Sequence, residues 1–211
     1  MAVPRDPRPG DEGEDASIYF HGGVPGLEPG QRIRPRAQLS EWRGARVRFG
    51  SGGTGPDPSG LFVYLTSDLV AARAYAADYI VPRDGAVVRE PGDVYEAEPV
   101  GAAAPDPDYA IHWPEDFIRA GEAVIVRVVE RAVIMPADEV SRARLRYMRW
   151  VDDTPSYDDD GYLLPSPAMR EAGRTREELR SFGRWVRLST LTRDGRPKAP
   201  ERASVAPSPA R

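Results

Sequence analysis

Three short runs carry residue types and spacings that could do chemistry on their own. Gly50-Ser-Gly-Gly-Thr-Gly55 fits the G-x-G-x-x-G spacing of a dinucleotide-binding turn, whose chemistry depends on a helix N-terminus facing the pyrophosphate. Pro56-Asp-Pro58-Ser-Gly60 follows instead; it cannot open such a helix, so the glycines read as a loop. Asp158-Asp159-Asp160-Gly161 has the acidity of a calcium loop. EF-hand spacing would place one ligand at Ser156 and a bidentate glutamate at Pro167, and the mismatch leaves a solvated turn. Glu96-Ala-Glu98 has strand surroundings, and alternation sends both carboxylates to one face. Cysteine is absent and histidine occurs twice. That excludes disulfides, thiolate catalysis and cysteine-ligated metals, and makes a histidine-rich metal centre improbable.

Three further segments carry signal through their order. Tyr19-Phe-His21-Gly22 ends the first predicted strand. Val63-Tyr64-Leu-Thr66 leads into a helix, with Tyr75 eleven residues after Tyr64. Val94-Tyr-Glu-Ala-Glu98-Pro99 is followed, after Gly101, by Pro105-Asp106-Pro107. Singly, each has an ordinary explanation: a structural histidine, core tyrosines, an aspartate in a turn. Together they resemble the His-Tyr-acid class of ADP-ribosyltransferases, and within it the small rifampin ADP-ribosyltransferases, over residues 17–135.

The resemblance implies an α+β fold, a split β-sheet core with few helices, to which this chain adds a helical C-terminal extension. It implies NAD as co-substrate, no metal, and a catalytic set of His21, Tyr64 and Asp106. His21 would hold the adenosine-side ribose, and Gly22 would offer backbone groups to the nicotinamide amide. Tyr64 and Tyr75 would stack on the nicotinamide ring. Asp106 would hold a ribose hydroxyl, counter the oxocarbenium charge and orient the acceptor. Glu98 is the alternative acid, since Glu96-Ala-Glu98 resembles the Glu-x-Glu of arginine-modifying toxins. Those toxins carry an arginine and a Ser-Thr-Ser where this chain has His21 and Tyr64, which disfavours that branch. The chain departs from the rifampin-modifying pattern at Gly23, where threonine is usual, in a longer segment between His21 and Tyr64, and in residues 137–211.

The implied activity is mono-ADP-ribosyl transfer to a hydroxyl of a rifamycin-like small molecule, with Trp42, Phe49, Trp113 and Phe117 as candidate walls of an apolar cleft. A protein or nucleic-acid acceptor and a catalytically inactive NAD or ADP-ribose binding module stay open as alternatives. For a macromolecular acceptor, the arginine-dense run Arg142–Arg149 would be a phosphate-contacting helix face; otherwise it is a solvated helix.

The elements that must position these residues are short. Strands are expected at Ser17–His21, Ala45–Phe49, Leu61–Thr66, Val94–Glu98 and Ala123–Ile134, the last bending or splitting around Glu130-Arg131. Ser67 is a plausible N-cap for a helix over Asp68–Tyr79, and Ala137–Trp150 has a helical stripe. Thr175-Arg-Glu-Glu178 matches a capping box ahead of Leu179, Phe182 and Val186. The 20 glycines and 22 prolines exceed average usage in these 211 residues, while 40% apolar content still permits a core. The division expected is a disordered segment at 1–16, the transferase domain at 17–135, a helical extension at 136–191 and a disordered tail at 192–211.

Net charge is −4, which gives no blanket argument for nucleic-acid binding. No run approaches membrane-spanning length, and the N-terminus lacks a secretory pattern, so a cytoplasmic monomer is expected. Lys198 is the single lysine against 28 arginines, and asparagine is absent, a bias that a GC-rich genome explains.

Overall fold

The computed structural model describes residues 18–42, 60–83, 86–186 and 188–198. Seven strands and four helices succeed one another: β1 (Phe20–Gly23), β2 (Arg32–Ile33), β3 (Val63–Thr66), α1 (Leu69–Ala77), β4 (Ile80–Arg83), β5 (Ala86–Arg89), β6 (Asp93–Pro105), β7 (Phe117–Glu130), α2 (Ala137–Leu145), α3 (Pro167–Glu171) and α4 (Arg176–Arg180). The fold is α+β, as the sequence implies. Five strands pair antiparallel in the order β2-β7-β3-β1-β6, and β6 also pairs with β7. The ring β7-β3-β1-β6 is thus closed, but β1 meets β3 at a single register pair, Phe20 with Thr66.

Alternation along the strands decides which side chains enter the core. Val63 and Leu65 point inward and join Ile33, Tyr95, Ala97, Ile118, Ala123 and Ile125, leaving Tyr64 on the other face. A second cluster forms where Ala72 and Ala76 of α1 meet Val94 and Val133. Small residues line this contact because the helix lies almost on the strand: a Cβ on Gly22 would fall 1.8 Å from the Ala72 carbonyl oxygen. The buried Asp93 carboxylate ties the turn after β1 to the end of β7, accepting from the Gly26 and Ala132 amides and pairing with Arg131.

Residues 136–198 build a third cluster from Tyr157, Leu163, Met169, Leu179, Trp185 and Leu191. The capping box at Thr175 and Glu178 forms as expected and Leu179 is buried, although α4 ends at Arg180, before Phe182 and Val186. Several local expectations are corrected. Asp68, not Ser67, caps α1, accepting from the Val70 amide at 2.9 Å, while the Ser67 hydroxyl turns to Asp116. α2 stops at Leu145 rather than Trp150. β7 runs unbroken from Phe117 to Glu130, and Arg131 lies beyond its end. The β4–β5 hairpin had no sequence signal. The expected tail begins with an ordered turn, in which Leu191 pairs with Pro197 and the Lys198 amide donates to Thr190. The expected strand Ala45–Phe49, the glycine run Gly50–Gly55 and the segment 1–16 lie outside the described residues.

Candidate functional site

The site opens where β1 and β3 part. Beyond the Phe20–Thr66 pair the strands diverge, and the His21 side chain spans the gap, its Nδ1 lying 3.0 Å from the Tyr64 carbonyl oxygen. A carbonyl only accepts, so Nδ1 carries the hydrogen. Burial holds the imidazole below its ordinary pKa, opposed by the bond to Tyr64, and the neutral ring presents Nε2 as a bare acceptor. Nε2 stands against Gly23, where an added Cβ would come within 2.5 Å of it. Glycine at that position therefore leaves the imidazole its place.

Tyr64 and Tyr75 reach the same cavity from β3 and α1. The Tyr75 hydroxyl lies 3.1 Å from that of Tyr109, whose own pKa burial pushes far up, with Tyr75 adding to the shift. Tyr109 in turn stacks on Phe117, ring centroids 4.1 Å apart. Gly22 also lines the cavity, yet what demands glycine there is the approach of α1.

Asp106 sits in the turn between β6 and β7. Its amide donates to the Phe117 carbonyl and its carboxylate accepts from the Asp108 amide at 3.1 Å. The residue is 6% exposed. Among the described residues no arginine or histidine lies within ion-pair distance of it. Burial raises its pKa, the Asp108 amide opposes and the Asp108 charge reinforces the rise, and the more distant Arg119 lowers it. A buried, cation-free carboxyl in a cavity wall is a candidate for chemistry rather than for stability.

His21, Gly22, Tyr64, Tyr75 and Asp106 line one cavity of about 620 Å³, within the range that holds small ligands. Trp42, Trp113 and Phe117 line it as well, whereas Phe49 lies outside the described residues. Glu98 does not reach it: the side chain is exposed on β6, opposite Val124 of β7. Its neighbour Glu96 pairs with Arg127 at 2.6 Å.

Four contributors had no sequence signal pointing at the site. Arg36 lines the cavity from a 3-10 turn and stacks over Trp42 at 4.6 Å; burial lowers its pKa, with Tyr79 and Tyr64 opposing. Tyr109, three residues after Asp106, was in plain sight but unremarkable. Arg144 and Tyr147 come from the extension. Tyr147 packs edge-on against Tyr109, Trp113 and Phe117. Within the run Arg142–Arg149, Arg144 pairs with Asp78 and Arg146 with Asp68.

Asp158, from the acidic run, pairs with Arg176 and Arg180. Among the described residues no group of three or more histidines and carboxylates is placed to hold a metal ion. Nor is any helix among them long and apolar enough to cross a membrane. Comparison with models of known protein families and with curated proteins finds no match for the chain.

Proposed function

We propose that the protein is an NAD-dependent mono-ADP-ribosyltransferase of the His-Tyr-Asp kind acting on a hydroxyl of a rifamycin-like small molecule. One observation carries the reading. Residues far apart in the chain, picked out by the resemblance their motifs carry, line a single cavity, and the acid among them is buried with no arginine or histidine of the described residues at ion-pair distance.

In the proposed reaction the bond between nicotinamide and ribose C1′ breaks and its electron pair leaves with the nicotinamide nitrogen. The ribose becomes an oxocarbenium ion, and an acceptor hydroxyl adds to C1′. Its proton passes to Asp106 or to water. Nε2 of neutral His21 accepts from a ribose hydroxyl, and Tyr64 and Tyr75 offer aromatic faces to the nicotinamide. Asp106 stabilises the positive charge as it develops on the ribose, where a low-dielectric wall strengthens the interaction. Trp42, Trp113 and Phe117 favour an apolar acceptor over a polyanion. The engagement of Arg144 and Arg146 by Asp78 and Asp68 weighs the same way.

Mass spectrometry of rifampicin incubated with the protein and NAD⁺, with nicotinamide release followed in parallel, tests this. A gain of one ADP-ribose unit on the drug is expected. Nicotinamide release without drug modification would move the acceptor to a macromolecule. NAD⁺ bound without either signal would make the protein an inert binding module, and no NAD⁺ binding would overturn the reading. Asp106→Asn is expected to slow nicotinamide release about 10²–10³-fold and to leave the NAD⁺ dissociation constant, measured by titration calorimetry, within a few-fold of wild type.

A further inference from the structure

Tyr75 is surrounded more closely than an aromatic platform requires. The Arg144 guanidinium of α2 lies over its ring, Cζ 4.9 Å from the centroid. Arg144 is held there by Asp78, the residue that ends α1, at 2.7 Å, and Arg89 of β5 takes the same carboxylate at 2.6 Å. Two guanidinium groups thus share one carboxylate, the exposed Arg89 from outside and Arg144 from over the Tyr75 ring. Nor is Arg144 free to swing away, since its neighbours Arg146 and Tyr147 bind Asp68 at the other end of α1.

We propose that Arg144 is a positioning residue acting through Tyr75, and that it makes this platform favour an uncharged nicotinamide over the cationic ring of intact NAD⁺. The inference rests on the NAD reading, which sets the nicotinamide against Tyr75. The negative face of an aromatic ring is what attracts a cation to it. A guanidinium already over the ring draws on the same electron density and repels a second cation stacked nearby. Before C1′–N cleavage the pyridinium ring carries the positive charge; afterwards nicotinamide is neutral and the charge resides on the ribose, beside Asp106. Arg144 therefore raises the energy of bound NAD⁺ more than that of the transition state, in which charge has already left the ring. Asp106 draws the charge and Arg144 drives it.

The test compares binding of NAD⁺ and NADH, whose nicotinamide rings differ in charge, by titration calorimetry on the full chain. In Arg144→Gln the ratio Kd(NAD⁺)/Kd(NADH) is expected to fall about fivefold through tighter NAD⁺ binding. Arg144→Lys, which keeps the charge, is expected to hold the wild-type ratio. In steady-state nicotinamide release, Arg144→Gln is expected to lower kcat and KM for NAD⁺ together, about fivefold each. A merely structural role would raise KM, leave the ratio unmoved and show no rescue by lysine, and that pattern overturns the inference. Should glutamine fail to fold, Arg144→Met provides the uncharged side chain. Binding of neither dinucleotide by the wild type overturns the NAD reading and this inference with it. Binding with a ratio indifferent to Arg144 overturns the inference alone.

Discussion

At the scale of single residues, two adjacent glycines do different work. A methyl group on Gly22 would enter the Ala72 carbonyl, so Gly22→Ala must push α1 off the sheet. Urea unfolding is expected to show a loss of about 1–3 kcal/mol or more. Gly23 instead leaves His21 its place, since a Cβ there would lie 2.5 Å from Nε2. His21 also sets a pH dependence. Its pKa is lowered by burial, so the fold favours the neutral ring. The stability this contributes is fully present above the ordinary histidine value and is lost as pH falls from there through the lowered one. Chemical denaturation between pH 8 and pH 5 should show, in the wild type, a loss of stability on acidification that is smaller in His21→Gln. Asp106 works in the opposite sense for stability, its raised pKa making ionisation unfavourable in the fold. Turnover that needs the ionised form is therefore expected to fall, on acidification, at a higher pH than an ordinary aspartate would set. His21, Tyr64 and Asp106, which line one cavity, could be picked out only through the resemblance that their motifs carry together. Arg36 and Arg144 were not, because among 28 arginines only tertiary placement distinguishes one.

At the scale of elements, α1 is the piece on which the site turns. Its N-cap carboxylate, Asp68, accepts from the Val70 amide and also holds Arg146 and Tyr147. Asp68→Ala should cost the cap, about 0.5–2 kcal/mol by itself, and release the extension's grip in addition. Thermal unfolding followed by circular dichroism is the check, and Asp68→Asn, which keeps a capping oxygen, should recover part of the loss. The helix was visible in sequence, but its first residue was not: Ser67 and Asp68 both make good caps, and the choice is made by Asp116, 49 residues away in the chain, which takes the Ser67 hydroxyl. Similarly α2 ends before its apolar stripe does, because Arg146 and Tyr147 are drawn to Asp68. β6 outruns its apolar segment, since β7 offers a partner for its whole length. The four-residue strands β4 and β5, one containing Pro82, are too short for periodicity to register.

At the scale of the whole molecule, the order of strand and helix signals pointed to the α+β class and the resemblance set residues 136–191 apart, but neither showed how they attach. Leu145, Met148 and Trp150 pack against the extension's own cluster and line the cavity as well, so the two parts share a wall. The grip on α1 has a consequence in time as well as in space. A nine-residue helix is too short to persist on its own, and both of its terminal carboxylates are held from the extension. The amides of α1 should therefore exchange with solvent only when α2 releases them. In a deuterium-exchange time course, peptides from α1 and from Ala137–Trp150 are expected to open at one common rate. Asp68→Ala should accelerate both together, making a segment remote in sequence the clock for the helix that carries Tyr75.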